Sequence, residues 1–129
     1  LILDKGQPLW LRVAAAEHLR NATGTSRIFS TLLPFVDQVA VELRLALATS
    51  ATMSRAAPDS GNFYIAVLTD ESIPAEQRTR HLRSHVPSDT PALREALTKL
   101  KDDPRMKDFA SRMIDQIWKL QFTDERRNL

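Results

Sequence analysis

Leu1-Ile2-Leu3-Asp4-Lys5-Gly6-Gln7-Pro8-Leu9-Trp10-Leu11-Arg12 aligns without a gap on Val67-Leu68-Thr69-Asp70-Glu71-Ser72-Ile73-Pro74-Ala75-Glu76-Gln77-Arg78. Each stretch carries apolar residues, then Asp, three residues, Pro, three residues and Arg. The offset is 66 residues, or two units of 33. A period of that size is the signature of stacked supersecondary units, each too small to bury its own apolar face. Leu43-Arg44 falls about halfway between the two stretches, and Met106-Lys107 supplies a fourth instance. Arg12, Arg44, Arg78 and Lys107 are thus spaced by 32, 34 and 29 residues.

Working outward, helical periodicity dominates. Leu9, Trp10, Val13, Ala16 and Leu19 recur at helical spacing behind Pro8, where a missing N–H costs nothing, which predicts a helix over 8–21 closed by Asn21 and Gly24. Ser26 is placed to cap a short helix through Ile28, Phe29, Leu32 and Leu33, and Pro34 to restart the chain as a helix to about residue 48. Thr49 to Gly61, rich in Ala, Ser and Thr, reads as one long mobile loop. Phe63 to Leu68 suits a buried helix capped by Asn62 or a strand, and helix is preferred because nothing else offers a strand to pair with. Further helices are expected over 74–86, over 90–101 capped by Ser88 or Asp89, and over 104–120 capped by Asp103.

The repeated pattern resembles HEAT repeats, antiparallel helix pairs with Asp in the turn, Pro early in the first helix, and then an apolar-Arg-x-x-Ala-x-x-x-Leu run. Leu11-Arg12-Val13-Ala14-Ala15-Ala16-Glu17-His18-Leu19 fits that run, and Met106 to Ile114 fits it with Lys for Arg and Ile for Leu. The other two units depart from it, with Leu47 and His81 at the Ala position and Ala51 and His85 at the Leu position. The resemblance implies an all-α domain over 1–129, a right-handed superhelical stack of three to four antiparallel helix pairs. It implies an interaction scaffold whose second helices line a concave face, making Arg27, Tyr64, Arg94, Lys99 and Lys101 the contact candidates. The Asp and Arg residues would knit turns and neighbouring units together. A segment of a longer array would expose an apolar end, so self-association through Leu1, Ile2, Leu3 and Trp10 is expected, with a protein or neighbouring repeats as partner.

Composition is consistent with a folded helical domain: 129 residues, 43% hydrophobic and 26% charged, with no cysteine and a mean hydropathy of −0.29. There is no disulfide framework, no thiol nucleophile and no apolar run long enough to span a bilayer. Net charge is +2; residues 1–70 hold six basic and six acidic side chains, and residues 71–129 hold twelve and ten. The excess lies in the second half, where Arg78, Arg80 and Arg83 form a candidate phosphate or acidic-partner patch. That patch supports an alternative reading as a nucleic-acid-binding or base-processing helical protein.

Catalytic chemistry finds little footing. Gly6, Gly24 and Gly61 are the only glycines, so no phosphate-binding loop exists, and no cofactor is indicated. His81 and His85 share a helix face with Asp89 beyond, but Pro87 intervenes and no third ligand has a defined position, so a solvated or partly packed pair is preferred over a metal site. His18 lacks a nucleophile at identifiable spacing. Trp10, Trp118 and Asp115 stay unassigned, with core packing as their default role.

Overall fold

The computed structural model describes residues 4–17, 25–51, 58–83 and 90–127. Among them are seven α-helices and no strand: α1 Leu9–Glu17, α2 Thr25–Leu32, α3 Val41–Ala51, α4 Pro58–Leu68, α5 Ala75–Leu82, α6 Pro91–Leu100 and α7 Lys107–Arg127. Phe63 to Leu68 is therefore helix, the last turns of α4. Asn62 lies inside that helix and does not cap it, because α4 begins at Pro58. Of the anticipated loop over 49–61, residues 49–51 belong to α3 and 58–61 to α4, while 52–57 lie outside the described residues.

Pro34 breaks the chain instead of starting a long helix. A 3-10 helix spans Leu33–Gln38 with Phe35 off helical geometry (φ −121°, ψ 21°), and Val39 is extended (φ −78°, ψ 135°) before α3 opens at Val41. The pyrrolidine ring disfavours helical geometry in the residue before it and removes a donor, so a tight turn forms where the apolar spacing suggested continuity. Phe35 consequently leaves the core and is exposed. α6 starts behind Thr90, whose hydroxyl accepts from the Leu93 N–H at 3.2 Å, with Pro91 in the first turn; Ser88 and Asp89 lie outside the described residues. Pro104 falls in the turn ahead of α7 rather than in its first turn.

α3 sits at the centre. Leu43, Leu45, Ala46, Leu47, Ala48 and Ala51 are all buried, so apolar side chains face inward all round it, as expected of a helix with neighbours on every side. It packs against α1, α4 and α5, while α2 packs on α4, α4 on α6, and α6 on α7. Odd-numbered helices through α5 thus contact one another in succession, and so do the even-numbered ones. Phe29 of α2 and Phe63 of α4 meet with ring centroids 5.4 Å apart, tilted by 58°, a favourable edge-inclined arrangement.

Small residues mark the close approaches. Ala16 and Ala110 have no exposed surface, and the Ser50 hydroxyl of α3 donates to the Ala16 carbonyl of α1. Ala15, which holds the Ala position of the repeat run, is only half-buried, and its neighbour Ala16 occupies the contact. Trp10 is 71% exposed and is no core residue. Leu1, Ile2 and Leu3, the expected self-association face, lie outside the described residues.

Candidate functional site

Three turns of this chain are built alike. The Asp4 carboxylate accepts from the Gly6 N–H, Asp70 from Ser72 and Asp103 from Arg105, each at 2.9 Å. In each, the residue three further on donates its N–H to the aspartate carbonyl, at 3.1, 3.2 and 3.0 Å. Aspartate suits the position because its short carboxylate caps a backbone donor two residues ahead. Helix α1, α5 or α7 follows each turn. Asp37, in the 3-10 helix, stands at the same 33-residue interval and uses its backbone carbonyl instead, which accepts from Arg44 at 3.3 Å.

The arginines after two of these turns are structural. Arg44 donates from Nε to the Val39 carbonyl and Arg78 from Nε to the Ile73 carbonyl, both 2.9 Å and both five residues back. Arg78 also donates from Nη1 to the Leu68 carbonyl, 2.8 Å away at the C-terminus of α4, and Arg44 forms an ion pair with Asp70. Asp70 therefore bonds the arginine of α3 and not Arg78. Burial opposes the charge on Asp70, but hydrogen bonds from Ser72 and the Arg44 guanidinium outweigh it and hold the carboxyl below its usual range. At Asp103 the Arg105 N–H is the main influence in the same direction. Burial pulls the Arg78 guanidinium below its usual value, with Asp103 opposing.

Arg78 is 2% exposed, so it leaves the proposed basic patch: its donors are committed to backbone carbonyls. Tyr64 leaves the contact set for the same reason, being fully buried with its hydroxyl donating to the Leu82 carbonyl at 3.3 Å, and burial raises its pKa above the ordinary phenol value. The side chain of Arg27 lies outside the described residues. Arg94, Lys99 and Lys101 are exposed on or just beyond α6, and Lys99 pairs with Glu95 at 3.3 Å. At roughly 100° per residue Arg94 and Lys101 share a face while Lys99 points about 140° away from Arg94, so the three do not form one patch.

The densest charge lies between α5 and α7, around a groove of about 750 Å³ lined by Arg80, Arg83, Arg105 and Arg112 together with Glu76 and Asp108. Phe109 and Met113, both largely buried, form its floor. Arg80 pairs with Glu76 at 2.7 Å, both exposed, and the exposed Arg105 with the half-buried Asp103 at 3.4 Å. Among the described residues Arg83 and Arg112 have no ion-pair partner. Arg105, in the turn ahead of α7, and Arg112, on α7, are the groove arginines that no sequence pattern singles out.

Metal and catalytic readings gain nothing from this geometry. His81 approaches the Gln77 carbonyl with Nδ1 at 2.9 Å, His85 and Asp89 lie outside the described residues, and no group of three metal-ligating side chains exists among those described. No helix among them is long and apolar enough to cross a membrane. Compared with known proteins, the chain matches no protein family, no curated protein and no solved structure.

Proposed function

We propose that the chain is a HEAT-like helical-repeat segment, a right-handed stack of antiparallel helix pairs that serves as a protein-interaction scaffold. The single observation that carries this reading is the recurrence of one bonded device along the chain. The turns at Asp4, Asp70 and Asp103 share a hydrogen-bond pattern, and Arg44 and Arg78 anchor identically to the carbonyl five residues before them. Recurrent turns followed by helices, with like helices in contact, are how repeat proteins extend a surface one unit at a time. Arg94 and Lys101 on the α6 face are the contact residues this reading retains.

A random-peptide library selected on the immobilised protein tests it. Enriched peptides should lose binding to the Arg94→Glu/Lys101→Glu variant. Absence of enrichment, or peptides indifferent to that variant, would count against α6 as the contact face. The nucleic-acid alternative has lost Arg78 from its patch, and a steep fall of oligonucleotide affinity with salt is the behaviour it requires.

A further inference from the structure

We propose that the groove between α5 and α7 binds an acidic peptide segment, its carboxylates held by Arg83 and Arg112. The proposal rests on the scaffold reading and adds to it a second, separate contact surface, since no residue of α6 lines this groove. Four guanidiniums face two carboxylates here, so the groove is cationic in a chain whose overall charge is only +2. Arg83 extends from just beyond the C-terminus of α5 and Arg112 from the second turn of α7, both exposed. Planar guanidinium forks match carboxylate geometry with two parallel hydrogen bonds, which a lysine patch would not provide. Arg80 and Arg105 already engage Glu76 and Asp103, but both guanidiniums are exposed, and ion pairs made by exposed groups contribute little that an incoming carboxylate would have to displace.

Two features favour a peptide over a nucleic acid. Glu76 and Asp108 line the groove among the arginines, which repels an unbroken phosphate backbone but accommodates a chain whose acidic residues are interspersed with others. The one aromatic ring present, Phe109, is 8% exposed and offers no face on which a base could stack. The groove volume of about 750 Å³ suits a few residues of extended chain.

Fluorescence polarisation tests this with a fluorescein-labelled peptide of alternating Glu and Leu. The expected result is saturable binding that weakens with added salt and falls by about tenfold or more in Arg83→Glu/Arg112→Glu, because two attractive contacts become repulsive. Glu76→Gln/Asp108→Asn should tighten it, and Lys5→Glu, at an exposed position outside the groove, should leave it unchanged. All four positions substituted in the groove are exposed, so helix content by circular dichroism should match the parent protein. No binding by the parent protein, or binding indifferent to Arg83→Glu/Arg112→Glu, overturns the proposal. Equal or tighter binding of a single-stranded DNA oligonucleotide of the same charge, lost in the same variant, overturns the peptide assignment. Loss in Lys101→Glu alone would move the contact to α6, leaving the scaffold reading intact and the groove proposal refuted.

Discussion

Replacing Arg78 probes the device that links one turn to the next. Its side chain is 2% exposed and donates to Leu68 O at 2.8 Å and Ile73 O at 2.9 Å. Neither carbonyl has a helical partner available: Leu68 ends α4, and the Gln77 N–H that could reach Ile73 bonds Pro74 at 3.0 Å. A cation at the end of α4 also suits the negative end of the helix dipole. Arg78→Met keeps much of the volume and strands both acceptors. With each hydrogen bond to a charged group worth about 1.5–3 kcal/mol, the loss should be about 3–5 kcal/mol. Arg78→Ala adds a cavity and should cost more, whereas Arg78→Lys, with one compact head to serve two carbonyls, should cost about half as much. Urea unfolding followed by circular dichroism reads this directly: with a slope of about 2 kcal/mol per molar, the Arg78→Met midpoint should fall by about 1.5–2.5 M. A midpoint within about 0.3 M of the parent would refute the assignment of Arg78 as a structural clamp, because such a shift is under about 1 kcal/mol.

Other substitutions test other levels of the structure. The folded-state pKa of Asp70 is depressed, so its stabilising contribution is present above the unfolded value of about 4 and is lost as pH falls through the folded one; Asp70→Asn should flatten that acid limb in thermal melts, and an unchanged slope would contradict it. Ala16→Leu and Ala110→Leu should each destabilise by about 1–3 kcal/mol through overpacking, whereas half-buried Ala15→Leu should cost less; equal midpoints for Ala15→Leu and Ala16→Leu would place the crossing differently. Gly61 lies within α4 with nothing within 4 Å of the position a Cβ would take, so Gly61→Ala should raise stability by about 0.5–1 kcal/mol, and a lower melting temperature would argue against helix there.

Much of the helical architecture was legible because its determinants are local. Pro91 and Pro74 mark helix starts to within a residue, and the periodicities of residues 91–100 and 107–117 match their buried faces. The failures occurred where one local signal outcompeted another. Pro34 followed by an apolar run is compatible with a helix start, yet the same proline leaves a turn when α3 can begin independently at Val41. The Ala, Ser and Thr of residues 49–51 resemble a loop in composition, but in the structure Thr49 and Ser50 satisfy their hydroxyls on helix carbonyls, Leu45 at 3.0 Å for Thr49 and Ala16 for Ser50, and so continue α3.

The site was harder to read because exposure is a property of packing and not of residue type. Arg78 and Arg80 look equivalent in sequence, two positions apart on one short helix, yet one is a buried clamp and the other lines an open groove. Helix geometry alone puts residues two apart about 200° from each other, so they cannot share a face, and that argument was available before any coordinates. The aspartates offered a still sharper signal: Asp4, Asp37, Asp70 and Asp103 stand at intervals of 33 residues without deviation, while the basic residues drift by several. The difference has a physical cause. At Asp4, Asp70 and Asp103 a carboxylate that caps the backbone two residues ahead has no freedom to move along the turn, whereas a long arginine reaches its carbonyl from neighbouring positions of the helix that follows. The period of this chain is therefore read from its turns, and the surface available to a partner from which arginines those turns leave unspent.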